Sequence, residues 1–293
     1  MTRSSLVPVL VCAACSSVQP HHPGTQVAPL SLAADEHMIT IPAGQYIAGS
    51  TVEERTSAYD DYQATSGKDT ARTAHWFDSE DDRHVAHGLA YRIDMMPVTE
   101  AEFAEMVTAT QMPGPAIDED GWGKQGFTQD FATQVARYVW RDGHPPRSYE
   151  DHPVVLVTWD EATRYCKWRG EQRGEPRRLP SADEYEEASR GSGGLAYPWG
   201  NTYEPDKLNS AVKGPGDTTP VGTYITGASQ FGALDMAGNV FEWTSTPYDK
   251  GQITVKGSAW EDFGGLGRGA SRHGRPPGIR HAIVGFRCAA DSQ

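Results

Sequence analysis

The stretch at residues 232–245, GALDMAGNVFEWTS, carries two carboxylates on either side of a turn. Asp235 and Glu242 are separated by the dipeptide Gly238-Asn239, which is typical of a tight turn. Two carboxylates across a turn can hold a divalent cation, and such hard oxygen ligands suit Ca²⁺, which accepts irregular geometry. The alternative is an irregular structural corner, in which Asn239 and Glu242 only cap and brace the turn.

The composition indicates a loop-rich globular protein. The chain has 293 residues, of which 38% are hydrophobic, enough for one large domain or two small ones. It contains 31 Gly, 20 Pro and 8 Trp but few long apolar stretches, which favours a loop-rich α+β fold over a helical bundle. The formal net charge of −13 argues against nucleic acid or an anionic membrane surface as the main partner.

The first residues are typical of an exported protein. An apolar run at residues 6–14 follows Arg3 and ends in small residues before Cys15, which predicts a signal peptide at 1–15. The ending CAAC resembles a bacterial lipobox, so we expect lipidation of Cys15, with plain signal cleavage as the alternative. Residues 16–36, rich in Ser, Pro, His and Gln, are predicted to be a flexible tether. The protein is therefore expected in the periplasm or at the outer membrane, touching the membrane only through its lipid anchor.

The cysteines are consistent with export. After Cys12 and Cys15, only Cys166 and Cys288 remain. In an oxidising compartment such a distant pair predicts one disulfide, and the alternative is two buried free thiols. Closing a loop of roughly 100 residues stabilises a protein by about 4–5 kcal/mol in the chain-entropy model.

Helix start signals predict three helices in a single domain at residues 37–293. Thr99, Thr158 and Ser181 each precede a helix-forming stretch. Glu184 follows Ser181 at the spacing of a capping box. In the helix after Thr99, the side chains expected to face the core are Phe103 and Met106. The helix after Thr158 carries apolar residues at helical spacing, namely Ala162, Tyr165, Cys166 and Trp168.

The rest of the domain is predicted to consist of short strands and loops. A strand and hairpin are expected within residues 37–50, with further strands at 89–95 and 154–157. The polar stretch 51–82 is predicted to be a long surface loop, and 111–150 to be irregular. From Tyr197 onward we expect turns and short strands.

Eight segments, in this order, resemble the formylglycine-generating enzyme (sulfatase-modifying factor) family. The segments are ITIPAGQYIAGS, YRIDMMPVTEAEF, HPVVLVTWDEATRYCKW, RRLPSADEYEEASRG, YPWGN, FGALDMAGNVFEWTS, KGSAW and GFRCAAD. They cover nearly all of the predicted domain. The resemblance implies the family's variant of the C-type lectin fold, an α+β architecture that is loop-rich with few regular elements and often binds calcium.

The resemblance also implies ligands for calcium and a disulfide. In the family's calcium loop, Asp235 and Glu242 correspond to side-chain ligands, and Gly238 and Val240 to backbone carbonyl ligands. A second family site corresponds to Asn209 and the carbonyl of Ser210, with Asp217 as a further candidate. The positions of Cys166 and Cys288 match a disulfide pair of the family.

One part of the family pattern is missing. The family's oxidase binds copper through two cysteines that lie between its GGSW-like and GFRC motifs, and residues 259–287 contain no cysteine. Thiolates are the soft ligands that select Cu(I), so we expect neither copper nor formylglycine-generating activity. A second branch of the family uses non-haem iron held by histidines of an added helical domain. Here His84 and His87 are predicted to be surface or packing residues.

The interval without cysteines is instead rich in cationic side chains, with Arg268, Arg272, Arg275, Arg280, His273 and His281. Arginines bind carboxylates, sulfates and phosphates, which predicts a site for an anion or an acidic partner. The alternative is that several of them pair internally with the surplus acids. The candidate ligand cleft comprises Trp260, Glu261, Asp262, Arg268, Arg272 and Arg275.

Two functions follow from this pattern. The first is a calcium-stabilised binding or scaffold protein for a protein, a peptide or a small anionic ligand. The second is an enzyme of different chemistry, such as oxidative or tautomerising tailoring of a peptide or small molecule. In that enzyme, Glu261 and Asp262 would act as acid–base groups in the same cleft.

Overall fold

The computed structural model describes Met1 and residues 37–127 and 129–292. The predicted signal peptide at 1–15, its lipidation site Cys15 and the tether at 16–36 lie outside the described residues, apart from Met1. Among the described residues, no helix has the length and apolar character needed to cross a bilayer.

The described domain alternates short strands with helices. The helices are α1 (Val52–Ser66), α2 (Thr70–Thr73), α3 (Glu100–Thr110), α4 (Glu119–Lys124), α5 (Phe131–Gln134), α6 (Trp159–Arg173) and α7 (Ala182–Arg190). The strands are β1 (Met38–Ile41), β2 (Gly44–Ala48), β3 (His84–Gly88), β4 (Tyr91–Asp94), β5 (Phe241–Pro247), β6 (Ile253–Gly257), β7 (His273–Arg275), β8 (Val284–Gly285) and β9 (Ala289–Asp291). Between α7 and β5 the chain is turns and two short 3₁₀ segments, as predicted.

The strands form three small sheets in the described part of the chain, with orders β1-β4-β9, β2-β3 and β7-β6-β5-β8. In the first sheet, Ile93 of β4 lies between Ile39 and Ala289. In the third sheet, Glu242 of β5 is opposite Lys256 of β6, and a register irregularity follows Trp243. The predicted hairpin at 37–50 is wrong, because β1 and β2 pair with strands of two different sheets.

The predicted helix starts are confirmed. Thr99, Thr158 and Ser181 are the N-cap residues of α3, α6 and α7, and each forms a capping box with the glutamate three residues later. Phe103 and Met106 of α3 are buried, as predicted from their spacing. These signals are local in the sequence, so they could be identified without knowledge of the tertiary contacts.

Residues 51–82 are not the predicted surface loop. Thr51 forms a capping box with Glu54 and starts the 15-residue helix α1. This helix buries Tyr59 and Tyr62, and the Tyr59 ring packs on Phe77 at a centroid distance of 4.8 Å. The prediction failed because α1 has no continuous apolar face. Its contact with the core depends on two tyrosines and an alanine, Ala58.

Residues 154–157 are not a strand, although all four are fully buried. Leu156 has a φ of 60°, a left-handed conformation that interrupts the extended backbone of a strand. The backbone N–H groups of Val154 and Leu156 donate instead to the carbonyls of Val98 and His281 in separate loops. An apolar run bounded by turns therefore indicated burial correctly and strand structure wrongly.

The largest core cluster packs α3 and α6 against the β5–β6 sheet. Phe103 stacks on Tyr165 with 5.6 Å between ring centroids, and Phe286 meets both rings edge-on. Next to Tyr165 in α6, the buried Cys166 forms the predicted disulfide with Cys288, 122 positions later in the chain. The bond joins α6 to the segment that leads into β9.

We predict that protein exported to an oxidising compartment has both cysteines blocked before reduction. Intact-mass measurement with an alkylating agent should show no modification of Cys166 or Cys288 until a reductant is added. Replacing both by alanine should lower the free energy of unfolding by about 2–5 kcal/mol, because the unfolded chain regains loop entropy. Two thiols that react freely in the folded protein would contradict this prediction.

Candidate functional site

The stretch 232–245 forms a tight corner braced by amide side chains. Gly238 and Asn239 both have positive φ, of 82° and 67°. A Cβ at position 238 would lie 2.5 Å from the backbone oxygen of Asn209, so the close approach requires glycine. The Asn239 Oδ1 accepts from the Thr219 N–H and from Asn209 Nδ2, and its Nδ2 donates to the Thr219 carbonyl. Asn239 thus braces the corner, as one of the two sequence-based interpretations held.

Glu242, the second carboxylate of this corner, is bound by an arginine. Arg287 donates from Nε and Nη2 to the two Glu242 oxygens, each at 2.7 Å, and both side chains are fully buried. The Tyr185 hydroxyl donates to the same carboxylate at 3.2 Å. Although burial disfavours the charged guanidinium, Glu242 raises the pKa of Arg287 above its ordinary value. A guanidinium therefore neutralises Glu242, and this carboxylate does not fit a role as a calcium ligand.

Asp235 is also buried but lacks a comparable partner. Its Oδ2 accepts from the Gly222 N–H at 2.7 Å. Burial raises the pKa of Asp235 to about 6, against the opposing effects of that hydrogen bond and of Arg287. The described residues contain no group of three or more His, Cys, Asp or Glu side chains that could hold a metal ion. With Glu242 paired, a cation at this corner would have Asp235 as its carboxylate and the carbonyls of Gly238 and Val240 as its neutral ligands.

The oxygen atoms around Asn209 fit a cation better than those of the corner that carries Asp235 and Glu242. The Asn209 Oδ1 is buried and has no hydrogen-bond partner. A Cβ at Gly214 would lie 2.1 Å from this oxygen and 2.7 Å from the Ser210 carbonyl oxygen, so both oxygens border the space beside Gly214. An unpaired buried oxygen beside a carbonyl is the donor set that a hard cation prefers.

Asp217, the further candidate of that site, does not fit. Its two oxygens accept from the hydroxyls of Tyr138 and Tyr149. Arg137 forms an ion pair with it, with 3.3 Å between Nη1 and Oδ2. Asp217 is therefore part of a hydrogen-bond network that fixes Arg137.

The candidate cleft is brought together only in part. Trp260 and Glu261 line a cavity of about 10 Å³ with His281, which is room for about one water molecule. The Trp260 Nε1 is buried without a hydrogen-bond partner. Burial raises the pKa of Asp262 to about 7 and that of Glu261 above its ordinary value, while Arg275 opposes both shifts. These acids and Arg275 form one electrostatic group near this small cavity.

Three other arginines of the interval without cysteines, two of them from the predicted cleft, are engaged elsewhere. Each forms an ion pair with an acid distant in sequence, namely Arg268 with Glu80, Arg272 with Asp81 and Arg280 with Glu161. The geometry of these three matches the alternative of internal pairing. His273 and His281 add no charge, because burial lowers the pKa of each to about 3. His84 and His87 are exposed residues of β3.

A group of cations that the sequence did not reveal lies beside Trp260. We call it the basic groove; it has a volume of about 390 Å³ and is lined by Ala136, Arg137, Val139, Arg141, His144, Pro145, Pro146 and Arg147. The Arg137 guanidinium lies over the Trp260 ring, 5.4 Å from its centroid. Arg141 and Arg147 are exposed, and neither forms an ion pair with a described residue. Their spacing follows no helix or strand period, so the sequence alone gave no signal for this groove.

Comparison with known proteins identifies the family. Residues 25–292 match the sulfatase-modifying factor enzyme 1-like domain. The chain is 30% identical over 239 residues to inactive C-alpha-formylglycine-generating enzyme 2 of Bos taurus, covering 68% of this chain and 77% of that protein. It is 28% identical over 289 residues to hercynine oxygenase of Mycolicibacterium smegmatis, covering 86% of this chain and 64% of that protein.

A solved structure supports the fold. PvdO from Pseudomonas aeruginosa matches with a TM-score of 0.65 at 21% sequence identity, over 87% of this chain and 94% of that chain. The predicted α+β, loop-rich fold of the formylglycine-generating enzyme type is therefore confirmed. Together, the family match and the fold show that this chain belongs to the sulfatase-modifying factor family, as a member with no cysteine between Trp168 and Arg287.

Proposed function

We propose that this protein is an exported, lipid-anchored binding or scaffold protein that holds an acidic peptide segment in its basic groove. The observation that carries the proposal is a set of exposed arginines without acidic partners in a chain whose net charge is −13. Elsewhere the acids are numerous enough to pair even distant arginines, such as Arg268 and Arg272. Cations left unpaired in such a chain are available to a partner.

The chemistry of the groove fits carboxylates. Arg141 and Arg147 offer planar guanidinium groups that bind carboxylates in a bidentate manner. Arg137 is held in place by Asp217 and by stacking on Trp260, so less conformational entropy is lost when it binds a ligand. Pro145 and Pro146 restrict the backbone between the cationic side chains. Because the net charge of the chain is −13, the protein as a whole repels an acidic peptide, which favours binding at a cluster of unpaired cations such as this groove.

The region of the family's copper cysteines supports a function other than formylglycine generation. Without cysteine in residues 259–287, the segment offers no thiolate for Cu(I). The cavity beside Trp260 and Glu261 is too small for a peptide side chain to enter. One relative that the chain resembles at 30% identity is itself named inactive.

Export and lipidation at Cys15 rest on the N-terminal sequence, and the disulfide between Cys166 and Cys288 is consistent with them. Structural disulfides persist in oxidising compartments such as the periplasm. A lipid anchor followed by a tether would hold the domain near a membrane, where it could present a bound partner.

An enzyme of different chemistry remains the second candidate, and one observation favours it. The pKa of Asp262 is raised to about 7 beside Glu261, which suits a proton-transfer group at neutral pH. A relative of the chain is named as an oxygenase. This candidate requires the cavity of about 10 Å³ beside Trp260 to open for a substrate, whereas the basic groove is already open.

We propose that calcium stabilises the protein at two sites. The ligands of the first site are the Asn209 Oδ1 and the Ser210 carbonyl oxygen. The ligands of the second site are the Asp235 carboxylate and the carbonyl oxygens of Gly238 and Val240. The unpaired Asn209 oxygen supports the first set most strongly. The ion binds the Asn209 Oδ1, which lacks a hydrogen-bond partner, together with neighbouring oxygens, and thereby stabilises the loops that carry them.

The calcium proposal predicts a metal-dependent melting temperature. Calcium that binds only the native state adds about 2.7 kcal/mol of stability at a hundredfold excess over Kd. The difference in melting temperature between calcium and chelator should therefore be positive for wild type and smaller for Asn209→Leu, which removes the first set of ligands. A Glu242→Gln variant should melt lower in both conditions but keep the difference, because it loses only the Arg287 pair. A wild-type melting curve indifferent to both calcium and chelator would sink the proposal.

The basic groove predicts binding of an acidic peptide. A fluorescein-labelled hexaglutamate peptide should bind wild type in an anisotropy titration, and the affinity should fall with added salt because exposed charges are screened. Arg141→Ala/Arg147→Ala should weaken binding by tenfold or more, equivalent to about 1.4 kcal/mol. The matched control Lys68→Ala/Arg164→Ala removes two exposed cations elsewhere and should leave the affinity unchanged. Failure of wild type to bind, or equal loss in both variants, would contradict the proposed function.

A further inference from the structure

A second polar cavity lies between helix α1 and the loop that follows α7. It has a volume of about 270 Å³, and its lining includes Glu54 and Asp61 of α1, Tyr197 of the loop, and Arg83 and Arg268 from other segments. Glu54, Ser57 and Asp61 follow each other at helical spacing, so one polar face of α1 forms a wall of the cavity. A volume below the range of drug-sized ligand sites suits a small metabolite.

Arg268 brings an unsatisfied donor to this cavity. The residue is 2% exposed, and its Nη1 donates to both oxygens of Glu80, at 2.9 and 3.2 Å. Its Nη2 is buried and has no hydrogen-bond partner. A guanidinium cannot be deprotonated in a protein, and a buried charged donor without an acceptor is costly. An anionic oxygen in the cavity would satisfy it.

Asp61 brings an acceptor to the same cavity. Its Oδ2 accepts from the Tyr197 hydroxyl at 2.8 Å, and this hydroxyl in turn accepts from the Gly265 N–H. Its Oδ1 accepts from none of the described side chains or N–H groups. Burial raises the pKa of Asp61 and Arg268 opposes this shift, so the two side chains interact electrostatically. A ligand that donates hydrogen bonds to Asp61 must therefore also tolerate a nearby cation.

The charges of the cavity lining select one class of ligand. Glu54 and Arg83 pair with each other and Arg268 pairs with Glu80, so the groups left for a ligand are the Arg268 Nη2 donor and the Asp61 Oδ1 acceptor. The Glu54–Arg83 pair lies at the more exposed side, whereas Asp61 and Arg268 lie deeper. A simple anion would leave Asp61 Oδ1 without a donor, and a simple amine would leave Arg268 Nη2 without an acceptor. A molecule that carries both a carboxylate and an ammonium group satisfies both.

We propose that this cavity binds a free α-amino acid, whose carboxylate accepts from Arg268 Nη2 and whose ammonium donates to Asp61 Oδ1. The site is separate from the basic groove and does not depend on the acidic-peptide function. Charge-assisted hydrogen bonds at both ends fix the backbone of the amino acid. The side chain of the ligand then points toward the opening of the cavity, where Arg83 and Glu54 contact it.

Isothermal titration calorimetry with the individual proteinogenic L-amino acids tests the proposal. At least one should bind wild type, whereas its N-acetyl and C-amide derivatives should bind tenfold or more weakly, because each lacks one charge. Acetate and ethylamine alone should not bind. Absence of binding by every amino acid would mean that the cavity holds only water, and equal binding of the blocked derivatives would exclude the zwitterion; either result overturns the proposal.

Variants locate the site. Asp61→Asn keeps a hydrogen-bond acceptor for the Tyr197 hydroxyl but removes the negative charge. It should lower the affinity for the amino acid tenfold or more. Asp60→Asn is the matched control on the same helix, where Asp60 is exposed and pairs with Arg72, and should leave binding unchanged. Asp61→Asn should also leave hexaglutamate binding unchanged, so that failure of this site and failure of the groove are distinguishable. Unchanged amino-acid affinity in Asp61→Asn would overturn the proposal.

Discussion

The buried ion pair between Glu242 and Arg287 connects the parts of this fold. Besides Glu242, Arg287 donates to the carbonyl oxygens of Asp94, Met95 and Leu234. Its guanidinium therefore connects the end of strand β4, the corner at residues 232–245 and strand β5. Burying two charges costs several kcal/mol each unless their bonds are completed, and here five donor contacts complete them. The next residue, Cys288, is bonded to Cys166 of α6. Removing either charge would leave the other unpaired at the point where these elements meet.

The same principle accounts for most arginines of the family's cysteine interval. Glu80, Asp81 and Asp82 are consecutive in sequence and pair with Arg268, Arg272 and Arg55. Buried or half-buried arginines in an acidic chain are therefore parts of the structure, and a ligand site must be sought where a cation or its donor lacks a partner. The basic groove with Arg141 and Arg147 and the α1 cavity with the unpaired Nη2 of Arg268 both meet this condition. The first suits a polymer of carboxylates and the second a small zwitterion.

Local signals in the sequence were sufficient for part of this structure. The N-caps at Thr99, Thr158 and Ser181 act within one helical turn, so their prediction was reliable. Helix α1 was not predicted because its stability depends on the packing of Tyr59 against Phe77, and its sequence has no periodic pattern of apolar residues that indicates this packing. The candidate cleft was predicted from neighbours in sequence, but its arginines reach acids as far as 191 positions away. Such long-range ion pairs follow from the fold and could not be inferred from the residue types.

The most direct test is an assay for the copper-dependent oxidation that this chain is inferred not to catalyse. The purified protein would be given a peptide with the sulfatase cysteine motif, together with Cu(I) and O₂. Mass spectrometry of the peptide would look for the loss of mass that accompanies conversion of the thiol to an aldehyde. The account predicts an unchanged peptide, because no cysteine lies between Trp168 and Arg287, and Cys166 and Cys288 are committed to the disulfide. Copper-dependent formation of formylglycine would contradict it.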